Sequence, residues 1–235
     1  AGCSPTRNLK EGQYFFTGYK IKSDTKAIDK EECDAFIRQK PNRKFFFLFR
    51  LQMGLYQLGA HGKDSSKFRK WLRNIGEEPV QLDTLLTHRS THQLQILMNK
   101  KGYFNAMVTD SILYSKKKAS VIYSIRSDVP YTLRNIEFTS TDSVINNFLQ
   151  RDKNNSLLHA GMNYDEDLLN KERDRFTNDM KSLGYYFFTK QFITFTADTA
   201  LASHQVNLLM TVSRLNENSI SVSGSSLAEN HHVYM

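Results

Sequence analysis

His88 and His92 stand four residues apart, the spacing that puts two imidazoles on one helix face, where they can share a metal ion. Between them lie Arg89, Ser90 and Thr91. There is no Glu as in a His-Glu-x-x-His hydrolase, and a fixed cation at Arg89 repels a metal. Asp165-Glu166-Asp167 lines up three carboxyls, but ahead of a helical pattern they serve the helix dipole. His231-His232 falls in a polar tail. No glycine-rich phosphate loop and no Ser/His/Asp signature occurs. The residues point away from catalysis, and no metal or cofactor is expected.

The charge is the next chemical resource. Lys and Arg number 32 against 24 Asp and Glu, and the net of +8 suits an acidic partner or an anionic surface. The basic residues cluster at Lys63, Lys67, Arg69, Lys70 and Arg73, at Lys100-Lys101 and at Lys116-Lys117-Lys118. The last cluster, with Tyr114 and Tyr123 nearby, has the parts for gripping phosphate and stacking on bases. Those aromatics alternate with apolar residues, however, which turns them toward a core. A basic nucleic-acid-binding module is therefore the alternative reading, and nucleic acid is not the expected partner.

Two cysteines, Cys3 and Cys33, make neither a disulfide framework nor a Cys-x-x-Cys pair. Cys33 is expected on a helix as a small core residue. Ala1-Gly2-Cys3 resembles the tail of a bacterial lipoprotein signal, in which the Cys becomes the lipidated first residue. A free or disulfide-bonded Cys3 is the other reading.

Several elements must position these groups. Tyr14 to Lys22 alternates as a strand, and Ile28 to Gln39 has helical spacing until Lys40-Pro41-Asn42 stops it. Phe45 to Leu58 is apolar nearly all round, so it is either buried or a contact surface. Ser90 to Lys100 is helical, with Leu94, Leu97 and Met98 on one face and Gly102 as its stop. Asn105 to Tyr114 and Ala119 to Arg126 form a hairpin across the lysine turn. The order then restarts. A strand runs from Tyr131 to Thr139, and a helix capped by Asp142 runs through Leu149. A charged helix follows from Asp165 to Leu183, with Leu168, Leu169, Phe176 and Met180 inward. Phe187 to Thr196 and Gln205 to Ser213 form a second hairpin.

The decisive pattern is this duplication. Lys101-Gly102-Tyr103-Phe104 returns as Leu183-Gly184-Tyr185-Tyr186, each between a helix and a hairpin. The expected division is a tether over 1–13, a first domain over 14–128 with an insertion at about 43–89, and a second domain over 129–215. Residues 216–235 are expected to be a linker and the start of a third unit, Val233-Tyr234 echoing Pro130-Tyr131. The expected fold is α+β, with each unit a mixed three-stranded sheet packed on two helices.

On these residues the chain resembles tandem POTRA domains, the polypeptide-transport-associated modules of the BamA/TamA superfamily of outer-membrane assembly factors. The carriers are Met98-x-x-x-Gly102-Tyr103-Phe104, Met180-x-x-x-Gly184-Tyr185-Tyr186 and Pro130-Tyr131-Thr132-Leu133-Arg134-Asn135-Ile136-Glu137-Phe138. The Cys3 start, Arg38-Gln39-Lys40-Pro41-Asn42-Arg43 and Trp71-Leu72-Arg73-Asn74-Ile75-Gly76-Glu77-Glu78-Pro79 resemble the lipidated TamA-like branch of Bacteroidetes, TamL. The residues over 43–89 depart from the plain domain pattern.

The resemblance implies a periplasmic scaffold of a Gram-negative outer membrane, held by a lipid on Cys3. Its implied partners are an outer-membrane β-barrel (on the same or a companion chain), unfolded outer-membrane clients and a TamB-like periplasmic protein. A stand-alone periplasmic interaction scaffold is the further alternative. Its implied mechanism is strand addition at the edge formed by each unit's second strand. The edge residues are Val108, Asp110 and Ile112 in the first unit and Lys190, Phe192 and Thr194 in the second. Blunted or covered edges are the competing reading. A second surface, for membrane or partner, would be Phe47, Leu51, Leu55 and Trp71, with the first domain's own core as the alternative place for the Phe45–Leu58 segment.

Overall fold

The computed structural model of the protein describes residues 6, 9–42, 78–199 and 203–213. They form two compact units. The first holds residues through Leu97 together with Ala106–Ser127, and the second holds Met98–Asn105 with the chain from Asp128 onward.

In the first unit β1 (Phe15–Ser23) is followed by a short helix α1 (Lys30–Ala35). Helix α2 (Thr84–Lys100) comes next, its last three residues falling in the second unit, and β2 (Met107–Ser115) and β3 (Lys118–Arg126) close the first. The sheet order is β1-β3-β2, with β1 parallel and β2 antiparallel to the central β3. The second unit repeats this with β4 (Thr132–Ser140), α3 (Ser143–Asp152), α4 (Glu166–Ser182), β5 (Ile193–Asp198) and β6 (Gln205–Val212). Its order is β4-β6-β5, again with the first strand parallel to the last. The expected α+β fold is what forms.

The central strand carries each core. Ala119, Val121, Tyr123 and Ile125 of β3 are buried on one face, as are Val206, Leu208, Met210 and Val212 of β6. Each large buried side chain contributes about 1.5–3 kcal/mol. In the second unit Ile145, Leu149, Phe176, Met180 and Phe188 complete one cluster with Met210 and Val212. Leu169 joins Leu133, Leu158, Val206 and Leu208 in a second.

Local signals explain most boundaries. Asp142 accepts from the Val144 and Ile145 N–H groups and opens α3; Asp165 accepts from Asp167 N–H and opens α4. Helix α2 begins ahead of the expected Ser90, because Asp83 Oδ1 accepts from Leu86 N–H at 3.1 Å. Helix α1 is shorter than the expected Ile28 to Gln39. Its N-cap Asp29 makes no side-chain capping bond, and after Phe36 the backbone is drawn out toward Ser90, whose Oγ accepts from Arg38 N–H at 2.9 Å.

The strand expected over Phe187 to Thr196 is the largest correction. Phe188 N–H bonds Tyr185 C=O at 2.9 Å, Lys190–Phe192 is a 3₁₀ turn, and pairing starts only at Ile193. The aromatic run buries Phe188 and packs Phe192 through turns, where a pleat would have pointed alternate rings into solvent.

Candidate functional site

A three-strand sheet has two edges, and an unpaired edge is a template for another extended chain. The first-strand edges are taken by the chain itself. Beside β1, Phe16 N–H bonds Val80 C=O and Leu82 N–H bonds Tyr14 C=O, both at 2.8 Å. Beside β4, Leu133 pairs both ways with the Gly161–Met162 turn at 2.7 Å, and Tyr164 N–H bonds Tyr131 C=O at 2.8 Å. Farther along, the Gln150 carboxamide donates to Phe138 C=O at 2.8 Å and Asn146 Oδ1 accepts from Ser140 N–H at 3.2 Å.

The segment over β1 is itself clamped by two buried amides. Gln39 donates to Gln81 C=O at 2.6 Å and accepts from Asp83 N–H at 3.2 Å. Asn42 donates to Glu78 C=O at 2.7 Å and accepts from Val80 N–H at 2.9 Å. Nearby, Asp34 accepts from Lys40 Nζ at 2.6 Å and from the Tyr19 hydroxyl. Lys40, then Tyr19, holds the Asp34 carboxyl below its usual range; burial, then Asp34, pushes the Tyr19 phenol up.

The second-strand edges are more open. On β2 the Gln95 carboxamide accepts from Val108 N–H at 3.1 Å and donates to Ala106 C=O at 2.9 Å, filling the place of a neighbouring strand for one residue. Since antiparallel pairing alternates, Asp110, Ile112 and Tyr114 share Val108's outward main chain. Their outer main-chain groups have no main-chain partner among the described residues. The side chains of Val108, Asp110 and Ile112 are half-buried instead, toward the helices. Asp110 accepts from Thr91 Oγ1 at 2.7 Å and lies 3.3 Å from His88 Nδ1.

On β5 the phase differs from expectation. Ser213 N–H bonds Phe192 C=O at 2.9 Å, and this fixes which residues bond β6. Thr194 and Thr196 turn their main chain inward, whereas Ile193, Phe195 and Ala197 turn theirs outward. Lys190 and Phe192 precede the strand altogether: Lys190 pairs with Asp174 of α4, and Phe192 packs on the core. Thr194 lies on the strand with an exposed side chain. Sequence periodicity missed Phe195 and Ala197 because it reads side-chain faces, and main-chain phase depends on the partner's register. The outer side of β5 carries no covering segment among the described residues.

The sequences of curated proteins give no match, and no family model matches. Among solved structures, the chain overlays the Haemophilus ducreyi BamA lacking POTRA domains 1–3 at 15% identity and a TM-score of 0.44, covering 86% of this chain and 29% of that one. It overlays Haemophilus influenzae BamA POTRA3–5 at 10% identity and 0.37, covering 88% and 100%. It overlays POTRA1–2 of Anabaena Omp85 at 8% and 0.34, covering 88% and 99%. The chain thus spans under a third of the first of these chains.

Other expected groups fall elsewhere. Tyr123 is 1% exposed and so cannot stack on a base; burial raises its phenol pKa, against the opposing effect of its hydrogen bonds with Ser90 and Thr87. Lys117 Nζ donates to Leu9 C=O at 3.0 Å. Cys33 is buried, and its thiol pKa is pushed up by that burial. Among the described residues no helix is long and apolar enough to cross a membrane. Cys3, Phe47, Leu51, Leu55, Trp71 and the start of a third unit at 216–235 lie outside the described residues.

Proposed function

We propose that this chain is a POTRA-like periplasmic region of an outer-membrane assembly factor, and that it takes extended client segments by strand addition at β5. The observation that carries the reading is the uneven treatment of edges. The chain's own segments and side chains cover β4, while the Ile193, Phe195 and Ala197 main chain of β5 faces outward without a covering segment among the described residues. Main-chain pairing reads little sequence, which suits a scaffold that handles many unfolded clients.

The placement in the lipidated TamL branch, with Cys3 acylated and a barrel and a TamB-like protein as partners, belongs to the same proposal. It is supported by the stretches quoted above, two of which, around Gln39-Asn42 and Glu78-Pro79, meet in the amide clamp. The test of strand addition is a photo-reactive residue at exposed Thr194, probed with a peptide matching the last strand of an outer-membrane barrel. Ala197→Pro removes an outward N–H without breaking a bond to β6. Crosslinking should be lost in this variant while the fold persists by circular dichroism; undiminished crosslinking would refute strand addition at β5. Intact-mass spectrometry of the native protein checks the acyl group on Cys3.

A further inference from the structure

One end of the first unit gathers chemistry that strand addition does not use. The β2–β3 hairpin closes there through Lys116 and Lys117, and residues 113–118 are all exposed. Lys116 holds a left-handed φ of 53°, as a two-residue hairpin turn demands, at a position where glycine or asparagine would be less strained. The turn is braced from behind. Lys117 Nζ donates to Leu9 C=O at 3.0 Å, and Phe15 N–H bonds Lys117 C=O at 2.9 Å. Leu9 is buried with Phe15, and the Tyr114 ring lies 4.5 Å from that of Tyr14. The chain ahead of β1 is thereby fastened to the hairpin turn.

What this end presents outward is apolar and cationic at once. Leu113 and Tyr114 are each 53% exposed. As successive strand residues they point to opposite faces, so the hairpin ends in a wedge that is apolar on both sides. Lys116 and Lys118 stand at its tip. Glu11, in the turn before β1, and Asp83 are the acidic residues set against them, and Asp83 Oδ1 is spent on capping α2.

We propose that this hairpin end is a membrane-contact site, which sets its apolar wedge into the surface of an anionic bilayer and its lysines against the lipid phosphates. An amphipathic aromatic ring beside snorkelling lysines is the combination that the headgroup layer accommodates. Nucleic acid fits less well, since Tyr114 already lies against Tyr14 and Leu113 has no ring to stack on a base. Chain length supports the same occupant. Cys3 precedes the fastened Leu9 by six residues, which reach at most about 20 Å. A lipid on Cys3 would therefore enter a bilayer near this end, and a single acyl chain needs a second, basic signal to hold. The inference makes no use of strand addition, and its test uses unacylated protein, so it stands or falls separately from both.

Co-sedimentation of the unacylated 235-residue chain with vesicles tests it. Mixed phosphatidylglycerol and phosphatidylcholine vesicles should bind the chain several-fold more tightly than phosphatidylcholine alone. The double change Lys116→Glu and Lys118→Glu should weaken this by about 25-fold or more, at about fivefold for each lysine taken from an anionic surface. Lys117 is left in place because it holds Leu9. Tyr114→Ser should weaken binding several-fold while circular dichroism stays that of the parent chain. The equal charge change Lys22→Glu and Lys26→Glu, at and beyond the far end of β1, should leave most of the binding intact. Equal losses in the two charge variants would mean that net charge alone attracts the chain, and would overturn the site. No preference for anionic vesicles, or binding indifferent to Lys116 and Lys118, overturns it as well. An oligonucleotide gel shift that these lysines control, with vesicles left unbound, assigns the end to nucleic acid and overturns the proposal.

Discussion

Gln39 and Asn42 each spend a whole side-chain amide on the backbone of Glu78–Asp83, and both are nearly sealed from solvent. Replacing either with an apolar residue removes two part-buried hydrogen bonds to the backbone, at about 1 kcal/mol. Gln39→Met and Asn42→Leu should each lower the urea midpoint of the first unit by a corresponding amount. An unchanged midpoint would mean the clamp contributes nothing. No periodicity ties residue 39 to residue 81, so their pairing is not legible in the sequence. Arg175 is a similar case on α4. Its guanidinium joins Glu172, Asp152 and Asp179, each at 2.7 Å, and Glu172 is fully buried. Burial works against the Arg175 charge, but Glu172 and then Asp152 overcome this and raise its pKa. Arg175→Met strands a buried carboxylate and should cost the second unit about 3–5 kcal/mol in chemical denaturation. A signal was available here: Glu172 falls on the inward face with Leu169 and Phe176, where a charge must find a partner.

At the scale of elements, the helix ends read well and the edge strand read badly. Gly102 and Gly184 were legible as stops because a left-handed residue closes a helix at little cost only when it is glycine. The two should respond differently to substitution. Gly184→Ala meets backbone strain alone and should cost about 1 kcal/mol. Gly102→Ala meets the same strain and a backbone oxygen 2.6 Å from the new carbon, so it should cost distinctly more. Thermal melts of the two variants compare them directly, and equal losses would contradict the tight packing at Gly102. The strand expected over Phe187 to Thr196 starts only at Ile193 for a physical reason. Clustered aromatics raise strand propensity wherever they occur, but here the turns at Tyr185–Phe188 and Lys190–Phe192 bury Phe188 and pack Phe192 against the core. Asp83 caps α2 ahead of Ser90, where the expected helix begins.

For the molecule as a whole, the repeat made both sheets legible, since each β-α-α-β-β succession admits few packings. What it left hidden was the set of carboxylates that tie distant parts of each unit. Asp24 accepts from the Ser127 hydroxyl and N–H, which hold its pKa down and join the end of β1 to the end of β3. Lys40, then Tyr19, does the same to Asp34; Lys101 does so to Asp167. A carboxyl whose folded pKa is depressed adds stability above its unfolded value, and that share is lost as pH falls through the folded pKa. Asp179 has the opposite sign. Burial raises its pKa, so it favours the folded state slightly as acid protonates it. Three depressed groups oppose one raised group, and at low pH the 32 Lys and Arg and 7 His also repel one another with few carboxylates left to offset them. Melting temperature should therefore stay level from about pH 8 to 5 and fall below about pH 4, the range where unperturbed aspartates protonate. Asp24→Asn should lower the melt at neutral pH and reduce the acid-induced drop of the first unit, while added salt should recover only the part due to general repulsion. A melt that stays flat to pH 3, or an Asp24→Asn chain with an undiminished acid drop, would show that these ties are not what holds the units together.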